Sequence, residues 1–240
     1  MTATASSVEK GESLLNTGLT LQAMGVDTIV IRHPHSGAPH FLARNLTDVA
    51  VINAGDGTHA HPTQALLDLY TAQSHLGDLA GRRIVIVGDV LHSRVARSAV
   101  WGFARLGAEV VLSGPATLMP EAFTPMGNPL ARVSVQSDLD LAVRGADLVM
   151  ALRLQSERQH GGFFPSLREY VRRWQVNEAR MGLAKSGALL MHPGPMNEGV
   201  EVSTSLAHGD RSLIEQQVTN GVAVRMALLY QVASSANTGT

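Results

Sequence analysis

Gly81-Arg-Arg-Ile-Val-Ile-Val-Gly-Asp89 decides the fold. Ile84–Val87 is an unbroken aliphatic run with no polar alternation, the pattern of a strand covered on both faces in a parallel sheet. Gly88 and Asp89 end it, and Arg94–Leu106 follows with helical spacing. Further short apolar runs predict strands at Glu109–Ser113, Arg132–Val135, Asp147–Leu152 and Gly187–Met191. Helices predicted at Leu139–Arg144 and Asn177–Met181 alternate with them. Strands alternating with helices specify the α/β class with a parallel sheet. A complete five-strand unit therefore lies behind Gly81.

Working outward, Glu12–Met24 reads as a helix, with Leu14, Leu15, Leu19, Leu21 and Met24 on its apolar side and Gly25 as its stop. Thr28–Ile31 and Val49–Asn53 are short apolar strands separated by a short helix, Pro39–Arg44. Gly55-Asp56-Gly57 is expected to break the second strand, and Pro62–Gly77 is a helix opened by proline. Downstream, residues 114–130 have no clear period, and 155–175 are polar and arginine-rich, the composition of a mobile loop. His192–Gly199 is a proline-glycine loop. Ile214–Ala233 is a closing helix, and Ser234–Thr240 a disordered tail. The boundary near Gly77–Gly81 leaves two strands and three helices in front, short for a free-standing α/β domain.

Composition sets limits on function. The 240 residues (25.5 kDa) suffice for one large domain or two smaller ones. Lys+Arg 19 against Asp+Glu 20 gives net charge -1, which argues against nucleic acid or an anionic membrane as partner. With no cysteine, disulfides, thiolate catalysis and cysteine metal clusters are excluded. Apolar runs such as Ile84–Gly88 and Ala188–Met191 are too short to span a membrane. Met1–Ser7 is polar and unlike a signal peptide, so a soluble, cytoplasmic protein is expected. Lys10 and Lys185 are the only lysines, so anion binding rests on arginine forks.

Chemistry gathers where strands end, the side on which open parallel sheets bind ligands. Arg32-His33-Pro34 follows the first strand. Asn53-Ala-Gly-Asp-Gly-Thr-His-Ala-His61-Pro-Thr-Gln64 joins the second to a helix N-terminus, where free amides favour anions. Arg94 opens the helix after Val87-Gly88-Asp89, and Arg153 and Gln155 follow Asp147–Leu152. Each also fits a plainer role: Arg32 as a surface residue, His59 or His61 as a cap, Gln64 in a solvated first turn. No third metal ligand has convincing spacing, so no metal is expected. Val90, His92 and Val95 stand where a dinucleotide fingerprint needs glycine, so no nicotinamide cofactor is expected either. Three arginines at strand ends imply a substrate pair with several negative charges. Without a nucleophile or metal, catalysis would proceed by positioning and electrostatics.

These residues carry a resemblance. Ser6-Ser-Val-Glu-Lys10-Gly-Glu-Ser, Ile31-Arg-His-Pro, Asn53-Ala-Gly-Asp-Gly with His61-Pro-Thr-Gln64, Val87-Gly-Asp with Arg94, Arg153-Leu-Gln155 with Glu157-Arg158, and His192-Pro-Gly-Pro-Met-Asn occur in one order. Order and spacing resemble the aspartate carbamoyltransferase catalytic chains of the aspartate/ornithine carbamoyltransferase family, from about residue 6 to 230. The resemblance implies two parallel-sheet α/β domains. A carbamoyl-phosphate domain would occupy residues 1–78 and a Rossmann-like aspartate domain 79–213, with helix 214–233 packing back on the first and 234–240 as tail. It implies transfer of the carbamoyl group of carbamoyl phosphate to the amine of L-aspartate in pyrimidine biosynthesis, with no cofactor. By the resemblance, Arg32, His61 and Gln64 hold carbamoyl phosphate. Arg94, Arg153 and Gln155 hold the aspartate carboxylates, and the carbonyls of Pro193 and Gly194 meet the amide and the attacking amine. Ser6 and Lys10 match a loop that reaches a neighbouring subunit's site, so a homotrimer is implied. Arg32, His61 and Lys10 are the implied catalytic groups. A regulatory or dihydroorotase-like subunit would be a further partner.

Two departures shape the expectations. The family carries a Ser-Thr-Arg-Thr phosphate loop ahead of the match to Lys10, and no Ser-Thr-Arg occurs in this chain. The carbamoyl-phosphate domain is therefore expected to lack its N-terminal phosphate-loop segment and to be incomplete. Glu198 stands where many relatives have arginine, and an inward carboxylate there would repel an anionic substrate. Two alternatives follow: a truncated, inactive homologue serving in binding or assembly, and another carbamoyltransferase such as an ornithine-type enzyme. Arg153-Leu-Gln155 disfavours the latter, because ornithine brings a cationic side chain.

Overall fold

A computed structural model describes residues 13–120, 132–154 and 166–236. The front unit comprises α1 (Leu14–Ala23), β1 (Thr28–His33), α2 (Ala38–Asn45), β2 (Ala50–Asp56) and α3 (Pro62–Leu76). Ser13 starts α1 by accepting a hydrogen bond from the Asn16 amide, satisfying a donor the helix leaves open. Parallel β1 and β2 form a two-stranded sheet. Its small core is Ile31, Leu42 and Leu46, with Leu14, Ile29, Val49 and Val51 against it. Gly18 lets α1 approach α2, since a Cβ there would lie 2.9 Å from a Leu42 methyl.

The rear unit contains β3 (Arg83–Val87), α4 (Arg94–Arg105), β4 (Glu109–Ser113), β5 (Val133–Val135), α5 (Leu139–Val143) and β6 (Leu148–Ala151), then α6 (Leu167–Trp174), α7 (Glu178–Met181), β7 (Leu189–Met191) and α8 (Thr204–Ala207). Five parallel strands are ordered β5-β4-β3-β6-β7, so β3 is central. The aliphatic run divides as a strand must. Ile84 and Ile86 enter one core with Phe103, Val110 and Leu148, and Val85 and Val87 enter the opposite core with Val149 and Leu190. Both faces are covered, which is why the run has no polar alternation.

Buried Asp147 ties the strand entrances together. It accepts hydrogen bonds from the Arg83 amide at 2.9 Å, Arg82 at 3.1 Å and Lys185 at 2.8 Å. Burial pushes its carboxyl up, but Lys185, the Arg83 amide and Arg82 outweigh that and hold it below the usual range. Helix α9 (Ile214–Ala236) then leaves the rear unit and lies on α3. Gln217 donates to Asp68 at 2.8 Å, and Asn220 to Thr71 at 2.9 Å.

Three local expectations are corrected. Strand β2 continues through Gly55 to Asp56 instead of breaking, because Gly55 adopts φ 116°, open to a residue without Cβ. Within the expected mobile stretch 155–175, residues 167–174 form α6. Ser166 caps it by accepting from the Glu169 amide at 3.1 Å, and Tyr170 anchors it in the interior. One buried aromatic in eight residues gives too little periodicity to detect. Helix α9 also runs on to Ala236, into the expected tail. Residues 155–165 and 237–240 of those two stretches lie outside the described residues.

The exits of β3 and β4 are crowded. A Cβ on Gly114 would lie 2.5 Å from the Gly88 carbonyl oxygen, a backbone atom that cannot rotate away. Gly114→Ala is expected to lower unfolding free energy by about 1–3 kcal/mol, the usual cost of forcing a group into packed structure. Denaturant unfolding with an unchanged m-value checks this.

Candidate active site

The exits of β1 and β2 are organised by a buried carboxylate. Asp56 is 1% exposed. It accepts from Asn53 Nδ2 at 2.8 Å and the Gly37 amide at 2.6 Å, and faces His59 Nδ1 at 2.9 Å. It thereby pins the start of α2 and the turn that leads to His61. Burial pushes its carboxyl up, while Asn53, Gly37 and His59 together bring it below the ordinary value. Arg32 projects from the end of β1 as an exposed residue.

His61 stands at the N-cap position of α3 without a side-chain capping bond, and its amide donates to Ser98 Oγ on α4 at 2.9 Å. Gln64 is buried in the first turn of α3, its Nε2 donating to Asp68 Oδ1 at 3.0 Å. Arg94 is the first residue of α4, whose N-cap Ser93 accepts from the Ala96 amide. Its guanidinium crosses to the front unit, where Nη1 donates to the Gly57 carbonyl at 3.3 Å. A Cβ on Gly55 would sit 2.8 Å from Arg94 Nε. Gly55 thus suits its φ of 116°, and its lack of a side chain leaves room for the guanidinium.

Burial, then the charges of Arg94, Arg32 and Arg225, lower the His61 pKa to about 4. Arg32, His61 and Arg94 therefore share one electrostatic environment. Arg225, on α9, is an addition that the strand-end reading misses, because the closing helix carries no motif.

The second group follows β6 and β7. Arg153 comes two residues after β6. His192 is 1% exposed, and burial and then Arg153 lower its pKa to about 4. Its Nδ1 accepts from the Gly194 amide at 3.0 Å, which shapes the Pro193–Gly194 turn. Buried Glu201 accepts from the Leu154 amide at 2.8 Å and the Asn197 amide at 2.7 Å, strapping this loop to the exit of β6. Glu198 is exposed and pairs with His208 at 3.4 Å. Ser6, Lys10 and Gln155 lie outside the described residues. Among the described residues, no group of three or more His, Asp or Glu could hold a metal ion, and no helix is long and apolar enough to cross a membrane.

Comparison with known proteins matches this geometry to a family. The model for the aspartate/ornithine carbamoyltransferase Asp/Orn binding domain matches residues 80–232, and that for the carbamoyl-P binding domain matches residues 1–74. The chain belongs to the aspartate/ornithine carbamoyltransferase family. It is 58% identical over 230 residues to the aspartate carbamoyltransferase catalytic subunit of Desulforamulus reducens, covering 96% of this chain and 72% of that one. The corresponding subunit of Natranaerobius thermophilus is 52% identical over 240 residues, 100% of this chain and 75% of that one. Among solved structures, the aspartate transcarbamoylase of Trypanosoma cruzi in complex with N-(phosphonacetyl)-L-aspartic acid superposes with TM-score 0.82 at 32% identity, covering 96% of this chain and 73% of that chain. The ornithine carbamoyltransferase of Pyrococcus furiosus gives TM-score 0.80 at 28% identity, covering 91% and 70%.

One expectation falls here. The carbamoyl-phosphate domain, expected to lack its phosphate-loop segment, is recognisable from the first residues onward: its family model takes in residues 1–74, and the Natranaerobius subunit aligns along the whole chain. Both domains of the carbamoyltransferase family are present. One tripeptide is a poor marker of a domain whose character lies in its strands and their exits.

The His61 environment is directly measurable. In a histidine NMR titration, His61 is expected to stay neutral down to about pH 4, and Arg94→Ala to move its midpoint upward. A midpoint near 6.5 in the unaltered chain would contradict the described surroundings. Since the folded value lies below 6.5, the stability His61 contributes is complete above 6.5 and is lost as pH falls towards 4.

Proposed function

We propose that the junction of the two units, where Arg94 crosses the Gly55–Gly57 turn beside a neutral His61, is the catalytic centre of an aspartate carbamoyltransferase. The chain transfers the carbamoyl group of carbamoyl phosphate to L-aspartate, giving N-carbamoyl-L-aspartate and phosphate in pyrimidine biosynthesis. The observation that carries the site assignment is Arg94 itself: a cation from one unit seated on the strand exit of the other.

In this reading Arg32 and His61 act on carbamoyl phosphate. The amine of aspartate attacks the carbonyl carbon, negative charge gathers on its oxygen, and the C–O bond to phosphate then breaks, the departing phosphate taking up the proton that the amine loses. Neutral His61 can donate one N–H to that oxygen, and Arg32 supplies charge to the phosphate and the carbonyl. One such donor is worth about 3–4 kcal/mol, or 10²–10³ in rate. Gln64 accepts from the carbamoyl amine, and the carbonyls of Pro193 and Gly194 accept from the carbamoyl and attacking amines. Arg94, Arg153 and Gln155 grip the two carboxylates of aspartate, a task suited to guanidinium forks. Ser6 and Lys10 serve the site of an adjacent subunit in a homotrimer. Residues 1–78 form the carbamoyl-phosphate domain, 79–213 the aspartate domain, and 214–233 the helix that returns to the first. The exposed Glu198, paired with His208, leaves the substrate anions unopposed. The protein works in the cytoplasm.

Steady-state assays with both amino acids test the substrate. L-Aspartate is expected to be carbamoylated in strong preference to L-ornithine. Arg153→Ala should lower kcat/KM for aspartate by about 10²-fold or more, as expected when a charged partner is removed from a buried ionic contact. Ornithine as the better substrate would overturn the assignment.

Assembly has its own test. Lys10→Ala and Arg94→Ala proteins, each impaired, are mixed under conditions of subunit exchange. In a random equal mixture about a quarter of trimer sites would carry neither defect, so activity should rise after exchange. No rise despite proven exchange would place Lys10 in its own chain's site.

A further inference from the structure

Beneath Gln64 lies a chain of buried polar groups that crosses three elements. Gln64 Nε2 and Gln217 Nε2 both donate to Asp68 Oδ1, at 3.0 and 2.8 Å. Gln217 Oε1 accepts from the His192 amide at 2.9 Å, and His192 Nδ1 accepts from the Gly194 amide at 3.0 Å. The chain thus joins α3 to α9 and α9 to the loop after β7. Asp68 is wholly buried, and Gln217 and His192 nearly so. A carboxyl group is costly at such a place, where an apolar side chain would satisfy packing alone.

The consequence lies in amide orientation. A glutamine amide has an oxygen and a nitrogen of nearly equal size, so sterics alone hardly choose between its two flips. Asp68 Oδ1 chooses, because it can only accept. It draws the nitrogen of both glutamines, which leaves Gln64 Oε1 as the free acceptor and commits Gln217 Oε1 to the His192 amide. The Gly194 amide is in turn occupied by His192 Nδ1, so the Pro193–Gly194 turn has carbonyls left to offer.

We propose that Asp68 is a positioning residue that, by fixing the flip of Gln64 and, through Gln217, the backbone at His192, makes both sides of the site acceptors for the carbamoyl amine. This rests on the roles given above to Gln64, Pro193 and Gly194. Burial, working against the two glutamine amides and Arg225, pushes the Asp68 carboxyl up to about 7. A proton on Oδ2 would leave Oδ1 accepting both amides, so the orientation holds in either state.

Acetyl phosphate separates this role from a merely structural one, since a methyl group replaces the amine and offers nothing to an acceptor. The full chain is compared with Asp68→Leu, Asp68→Asn and Gln64→Met. Binding of carbamoyl phosphate and acetyl phosphate is measured as KM for the first and competitive inhibition by the second. Asp68→Leu is expected to weaken carbamoyl phosphate by about tenfold or more, the equivalent of one good hydrogen bond. It should leave acetyl phosphate within about twofold, since that ligand never used the bond. Asp68→Asn, whose amide oxygen can still accept from both glutamines, should restore the discrimination. Equal weakening of both ligands in Asp68→Leu would overturn the inference. Should Asp68→Leu not fold, Gln217→Leu cuts the α9 arm alone and is read by the same ratio, with equal weakening again fatal. Gln64→Met isolates the underlying reading. Unchanged discrimination there would overturn the role of Gln64 itself. Lost discrimination there but retained in Asp68→Leu would overturn only the role of Asp68.

Discussion

The contact of Arg94 with the Gly55–Gly57 turn is the constraint around which the molecule is arranged. A guanidinium at the first residue of a helix faces the positive end of the helix dipole, a place that favours anions. The guanidinium of Arg94 reaches the carbonyl of Gly57 and packs against Gly55. Any side chain at 55 would fill that space, so the front strand exit and the rear helix start specify one another. The Ser98–His61 bond, one turn further along α4, fixes the same junction from the other side.

Charge follows from that geometry. Three arginines converge on His61 from three different elements, and burial adds to their effect, so the imidazole remains neutral through the physiological range. Buried carboxylates support the loops around these exits. Asp56 holds the β2 exit, Glu201 straps the loop after β7 to the exit of β6, and Asp68 lies under Gln64. Each is buried and satisfied chiefly by amides rather than by cations.

Strand exits were the legible part of this protein. Arg32, His61, Gln64, Arg94 and Arg153 are picked out as candidates by asking which polar residues follow apolar runs, because an open parallel sheet places all such positions on one side. Less visible features share a physical cause. Helix α6 has one buried anchor, Tyr170, too sparse a pattern to show a period. Asp68 and Gln217 read as ordinary polar residues of amphipathic helices until α3 and α9 are laid together. Arg225 joins the His61 environment only through α9. The absence of one phosphate-loop tripeptide was a misleading signal, because a short motif and a domain are different scales of evidence.

From the sequence alone come the α/β class, the five-strand rear unit, the family resemblance and the set of anion-seeking arginines. Those depend on local periodicity and on residues near one another along the chain. Only the tertiary structure decided that Arg94 crosses between units, that His61 is held neutral, and that a buried carboxyl under Gln64 reaches the loop after β7 through α9. They depend on contacts between residues far apart in the chain, such as Arg94 with Gly57 at 37 positions and Asp68 with Gln217 at 149, brought together by packing. The energy of such contacts depends on burial and on the direction of a hydrogen bond, and neither is written in the order of residues.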